Sequence, residues 1–189
     1  MGQGTTGRLT ERRVRRKLEA LGLLVSKPVP DRGIDIEASL PGRPDRIARV
    51  QVKGRNPVKV TSLRWFQIRV PRRQLEAARK RGESADSAWQ AKVAQVDFLI
   101  LDAVKPNETW VLSQERALEL IRLNESRYGN RPDNVFAFDE PLKDKQKEMN
   151  LDIEVEGVSL TEHFRDCLEN FAPVLAFLGK EDRQSTIPE

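Results

Sequence analysis

Asp35, Gln51 and Lys53 are the residues whose types and spacing could do chemistry. They belong to two segments, Pro30-Asp31-Arg32-Gly33-Ile34-Asp35-Ile36-Glu37 and Val50-Gln51-Val52-Lys53-Gly54. Side chains alternate faces along a strand, so Ile34, Ile36 and Ala38 share one face and Asp35 and Glu37 the other. Val50 and Val52 are likewise set opposite to Gln51 and Lys53. In a hairpin centred on Arg43, paired positions sum to 86, which puts Asp35 across from Gln51 and Glu37 across from Arg49. Opposed side chains on one face have Cβ atoms about 5 Å apart. A carboxylate oxygen and an amide oxygen at that spacing could share a hard divalent cation, with Lys53 beside them. A slip of one residue would destroy the arrangement.

Phosphodiester hydrolysis needs such a group. Magnesium takes oxygen ligands in octahedral geometry and usually keeps several waters. It neutralises charge developing on a phosphate and lowers the pKa of a bound water. A lysine ammonium alongside can orient that water and stabilise the pentacovalent oxyanion.

The elements that must position these residues are legible in outline. Thr10 reads as an N-cap and Gly22 as a C′ residue, framing a helix over about Glu11–Leu21. Val14, Leu18 and Leu21 form its apolar stripe. Glu11 falls on the inward side of a helix otherwise crowded with Arg12, Arg13, Arg15, Arg16 and Lys17. A first-turn acid favoured by the helix dipole explains Glu11 as well as a role at a site does. Strands follow over Leu23–Val29, Gly33–Leu40 and Arg46–Lys53, the last two joined by the turn Pro41–Asp45. A β-like segment, Arg64–Val70, precedes a helix opened by Pro71 and running to about Arg81, with Leu75 and Ala78 inward. Val96–Val104 has the continuous apolar character of a strand covered on both faces. Thr109–Leu112 is a strand, Ser113 caps a helix to about Leu123, and short strands are expected at Val135–Phe138 and Leu151–Val155. A helix over Leu160–Leu178 is expected to kink or break at Pro173. The order predicts an α/β fold, a central mixed sheet flanked by helices. Residues 1–124 form the core, and 125–189 an extension packing on it whose last ten residues are expected to be disordered.

With the helix and both strands in place, Gly33-Ile34-Asp35 followed by Gln51-Val52-Lys53 resembles the PD-(D/E)XK nuclease superfamily, whose fold is restriction-endonuclease-like (αβββαβ). Among its branches the chain looks most like the archaeal-type Holliday-junction resolvases and the Mrr-type restriction enzymes. Those also place an acidic residue on a helix before the Gly-x-Asp strand, a position Glu11 matches. The resemblance covers about residues 8–112. It implies Asp35 as the principal metal ligand, Gln51 in the place usually held by Glu, and the backbone carbonyl of Val52 as a third ligand. Lys53 would position the attacking water and Glu11 would support the metal. Mg²⁺ is the implied cofactor, with Mn²⁺ as a substitute, DNA is the implied partner, and a homodimer is compatible with the family. The Pro-Asp pair proper is Pro30-Asp31, so Asp31 rivals Asp35, but it belongs to the turn and has no defined cross-strand partner.

Charge agrees with a phosphate-binding face. The net charge of +4 conceals an asymmetry: residues 1–80 carry 20 Lys/Arg against 7 Asp/Glu, and residues 81–189 carry 13 against 22. A one-sided basic surface is the footprint of a polyanion partner. The candidates for phosphate contact are Arg12, Arg13, Arg16, Arg32, Arg55, Arg72 and Arg73, with Arg79 and Lys80 on the same later helix. Trp65 and Phe66, near Arg64 and Arg69, suit either stacking on bases or strand packing.

Other classes are excluded more firmly. His163 is the sole histidine, so zinc and Ser-His-Asp chemistry lack partners. No Gly-x-x-x-x-Gly-Lys loop exists to cradle a nucleotide. There is no apolar run long enough to span a bilayer and no signal-peptide core, and Cys167 is alone, so a cytoplasmic protein is expected. Two rivals to a metal-dependent DNA endonuclease stay open. One is a nuclease-fold DNA-binding module with a decayed site at Gln51. The other is an interaction protein using its acidic half.

Overall fold

The centre of the fold follows from alternation in one long strand. β3 runs from Arg43 to Arg55, and its even-numbered residues Ala48, Val50 and Val52 are buried on one side. The computed structural model describes residues 3–29, 33–55, 66–70, 72–105, 107–125, 134–137 and 154–179. Pro30, Asp31, Arg32, Arg64, Trp65 and Pro71 lie outside these, as do the final residues and most of the strand expected at 151–155.

β1 (Leu24–Ser26), β2 (Ile36–Leu40), β3, β5 (Phe98–Ala103) and β6 (Glu108–Ser113) form a mixed five-stranded sheet in the order β1-β2-β3-β5-β6. β3 is antiparallel to β2 and parallel to β5. Every residue of β5 is buried, as a strand covered on both faces requires. A two-stranded sheet pairs β4 (Phe66–Arg69) with β7 (Asn134–Ala137), and a small hairpin pairs β8 (Glu154–Val155) with β9 (Val158–Ser159).

The two faces of the main sheet bury separate cores. On one side Ile36, Ala38, Val50, Val52, Phe98 and Ile100 pack against Val14 and Leu18 of α1 (Gln3–Ala20) and Val174 and Leu178 of α6 (Ala172–Leu178). On the other side Leu99, Leu101 and Leu112 pack against α2 (Arg72–Lys80), α3 (Ala85–Val93) and α4 (Gln114–Glu125) through Leu75, Ala78, Trp89, Val93, Leu120 and Ile121. The protein is therefore a mixed α/β fold with a five-stranded central sheet flanked by helices, as expected. Among the described residues no helix is long and apolar enough to cross a membrane.

Several local expectations change. α1 starts at Gln3, so Thr10 is an interior residue and not a cap; its hydroxyl instead donates to the carbonyls of Thr6 and Gly7, both at 3.0 Å. The other end is as read: Leu23 N donates to Leu18 O (3.2 Å) and Gly22 N to Glu19 O (2.9 Å), the paired bonds of a Schellman stop. The β2–β3 register is Ile36↔Val50, Glu37↔Arg49 and Ala38↔Ala48, the expected sum of 86. The turn, however, is tight at Pro41-Gly42, with Leu40 opposite Arg43, and a bulge between Ser39 and Leu40 restores the register. The C-terminal helix breaks before Pro173: α5 covers Leu160–His163, a 3-10 turn covers Arg165–Cys167, and Pro173 sits in the first turn of α6. α3, capped by Ser84, was not foreseen.

Candidate active site

The site is built where the chain turns into β2 beside the C-terminal half of β3. Gly33 holds φ at +84°, a conformation open to glycine and strained for other residues. From that turn Asp35 runs alongside β3 without entering the regular ladder. Its amide donates to Val50 O at 2.9 Å, and its carboxylate Oδ2 accepts from Val52 N at 2.7 Å. Asp35, expected to face Gln51, thus straddles it, its amide on Val50 and its carboxylate on Val52. A charge-assisted bond of that length fixes the carboxylate firmly.

Gln51 is 6% exposed, and its Nε2 donates to Gly33 O at 2.9 Å. A carbonyl can only accept, so this contact decides which end of the amide is nitrogen and turns Oε1 away from Gly33. Asp35 and Gln51 therefore each bind the segment that carries the other: one carboxylate on Val52, one amide on Gly33. Lys53 follows on the same face of β3. Burial pushes its ammonium below the ordinary lysine range, the Asp35 carboxylate pulls it back up, Lys92 lowers it further, and Glu11 raises it. The charges of Asp35, Glu11 and Lys92 are thus near enough to act on Lys53.

Glu11 reaches this neighbourhood because α1 comes very close to β3. A Cβ built on Gly54 would lie 2.0 Å from Thr10 Oγ1 and 2.5 Å from its Cγ2. Only a residue without a side chain lets Thr10 pack there, and Glu11 is the next residue along the helix. No local pattern marks this contact, which is set in three dimensions by two residues 44 positions apart.

A cleft of ≈ 440 Å³ opens onto Asp35 and Glu11 between α1 and the β1–β2 edge. Arg8, Arg12, Arg15, Arg16 and Lys27 line it. Arg12 and Arg16, expected to contact phosphate, are exposed on this wall. Arg15 is steadied by Glu19 (2.8 Å) and by Val25 O (3.1 Å).

Other expected phosphate contacts are placed elsewhere. Arg13 does not belong to the basic wall: its Nε donates to the fully buried Asp102 at 2.9 Å and its Nη2 to Asn107 at 2.7 Å. Thr109 Oγ1 also donates to Asp102 at 2.8 Å. Arg13 compensates a buried charge, a structural task that its neighbours in sequence do not share. Arg73 is exposed on α2, away from the cleft lining, and Arg79 and Lys80 are exposed on the same helix. Arg55 ends β3 and Arg72 begins α2, while Arg32 and Asp31 are outside the described residues. Phe66 is 1% exposed within the core, which makes it packing and not a stacking platform. His163 bonds Glu119 at 2.6 Å, beside Arg116, in a cluster joining α4 to α5.

Among the described residues no three Asp, Glu, His or Cys side chains form a metal-binding group. A cation at this site would instead rely on two carboxylates, Asp35 and Glu11, with neutral oxygens from Gln51 and the main chain of Val52. That oxygen-only set fits a hard cation such as Mg²⁺ and does not fit zinc or a soft metal.

No family model matches the chain, and no curated protein does. Among solved structures, that of a bacterial homing endonuclease is similar with a TM-score of 0.50, over 97% of this chain and 99% of that chain, at 14% sequence identity. A likeness at that identity establishes a shared fold.

Proposed function

We propose that this protein is a Mg²⁺-dependent DNA endonuclease of the PD-(D/E)XK type. The observation that carries the reading is the crossed pair of contacts, Asp35 Oδ2 to Val52 N and Gln51 Nε2 to Gly33 O, which sets the carboxylate and the amide side by side, with Lys53 two residues farther along β3. The fold shared with a bacterial homing endonuclease supports it, as does the arginine-lined cleft leading to Asp35 and Glu11.

In this reading Asp35, Gln51 Oε1 and Val52 O hold the cation, and Glu11 supports it from α1. When bound, Mg²⁺ supplies charge neutralisation at the phosphate and acidifies water. Lys53 orients the attacking water and stabilises charge on the phosphoryl oxygens, a task suited to an ammonium held in a partly desolvated setting. Arg12 and Arg16 bind backbone phosphates along the cleft and steer the strand inward without reading sequence. Gln51 contributes no charge, so the site binds Mg²⁺ more weakly than one with a third carboxylate would.

The test is cleavage of a panel of branched and linear DNAs with Mg²⁺, by the wild type and by Asp35→Ala and Lys53→Ala. Loss of cleavage in both variants with binding retained is the expected result, and full activity in either one defeats the assignment. The rival, a DNA-binding module without catalysis, is favoured by the lack, among the described residues, of three acidic, histidine or cysteine side chains grouped to hold a metal. It predicts no Asp35-dependent heat on titration with Mg²⁺ or Mn²⁺.

A further inference from the structure

Lys92 stands in the candidate site with no role assigned to it. It occupies the last turn of α3, where the helix dipole favours a basic residue. That preference explains the residue type but not the direction of its reach. Its Nζ lies 3.5 Å from the point where a Cβ on Gly33 would stand, and Gln51 Nε2 lies 3.8 Å from the same point. α3 packs on the face of the sheet that carries Gln51 and Lys53, and from there the ammonium reaches the turn that leads to Asp35. It also acts electrostatically on Lys53.

Among the described residues no hydrogen bond or ion pair holds the Lys92 ammonium. Two ammonium groups thus share a half-buried site, and they repel more strongly there than in water. The Asp35 and Glu11 carboxylates offset part of this repulsion, and an anion between the two ammonium groups would offset more. A phosphodiester has the right charge, and its two non-bridging oxygens allow one contact for each lysine.

We propose that Lys92 is a second phosphate anchor, contacting a non-bridging oxygen of the phosphodiester that Lys53 serves. The inference rests on the nuclease reading for the identity of the phosphate, but the anchoring itself can be measured without cleavage. In contrast to Arg12 and Arg16, which grip the backbone outside, Lys92 acts at the reacting group and contributes to rate as well as affinity.

The experiment uses the full chain and a fluorescein-labelled DNA duplex, with anisotropy titrations in EDTA over a salt series. Lys92→Ala and Lys92→Gln are expected to reduce the slope of log K against log salt by about one and to weaken binding roughly uniformly across sequences. Lys92→Arg restores the slope. With Mg²⁺ and saturating DNA, Lys92→Ala is expected to slow single-turnover cleavage by about 100-fold, with partial recovery in Lys92→Arg. Denaturation midpoints are measured for every variant. An unchanged slope and rate in Lys92→Ala overturns the inference, and so does a lowered midpoint with an unchanged slope, which marks a structural lysine. If the slope falls as expected while no DNA is cut with any metal, the anchor stands and the endonuclease reading fails. If the wild type binds no DNA, both fail.

Discussion

Replacing Gly54 by alanine tests whether the α1–β3 contact sets the site. The methyl carbon would stand 2.0 Å from Thr10 Oγ1, 2.5 Å from Cγ2 and 2.6 Å from Cβ, against 3.4–4 Å for ordinary contact. Thr10 must therefore retreat by about 1.4 Å at its closest atom. Rotation of the side chain gives no escape, because its Cβ is itself too close and Thr10 is fully buried. The helix has to move. Overpacking of this kind costs about 1–3 kcal/mol, and Glu11 moves with the helix. A misplacement near 1 Å can lower a rate about 100-fold. Urea denaturation and Mg²⁺-dependent cleavage are the two assays. Thr10→Gly in the Gly54→Ala background removes all three close atoms and should recover cleavage, although glycine inside α1 costs about 1 kcal/mol of its own. Wild-type stability and cleavage in Gly54→Ala would refute the reasoning outright.

Three further outcomes follow from the geometry. Arg13→Ala leaves the Asp102 carboxylate buried with Thr109 as a remaining donor, and a loss of about 3 kcal/mol is expected on chemical denaturation. Arg12→Ala and Arg16→Ala should stay within about 0.5 kcal/mol of wild type and instead weaken DNA binding and flatten its salt dependence; equal stability effects at all three positions would contradict the division. For Lys53, the lowered pKa means that the unfolded chain holds this proton more tightly than the folded protein does. In EDTA the stability due to this group therefore rises with pH from the lowered value up to the ordinary 10.5. Lys53→Met should be more stable than wild type at neutral pH, with a margin that closes as pH approaches 10.5, and a margin independent of pH would show that burial does not strain the ammonium. Finally, Gly33→Ala forces a side chain into a positive-φ turn without a serious clash, since its neighbours lie at 3.5 and 3.8 Å; a modest loss of stability and a larger loss of Mg²⁺ binding are expected, and calorimetry distinguishes the two.

What was legible in the sequence was the part governed by local rules. Ile36, Ala38, Ala48, Val50 and Val52 alternate strictly, and their burial fixes the register of β2 on β3. The tight turn was misjudged because Pro41–Asp45 is rich in turn formers, while the bulge at Ser39/Leu40 has no marker of its own. Thr10 has the chemistry of an N-cap, and the glycines and threonines before it are poor helix formers; the helix continues because its later residues pack on the sheet. α3 escaped notice because its apolar residues are few and Ala88, Trp89 and Val93 make only a short stripe. With α3 unseen, nothing could bring Lys92 to Gly33. Arg13 looked like its neighbours because charge alone does not reveal a partner 89 residues away. For Thr10, Lys92 and Arg13 the missing information was tertiary, because each meets a residue far from it in sequence.

The most direct measurement is an anomalous difference map from a crystal of the protein soaked in Mn²⁺. The account predicts one strong peak with Asp35 and Gln51 Oε1 as ligands at about 2.0–2.2 Å, close to the distance that Mg²⁺ itself adopts, and no such peak in Asp35→Ala. A map with no peak there, or with its metal bound only elsewhere on the chain, would contradict it.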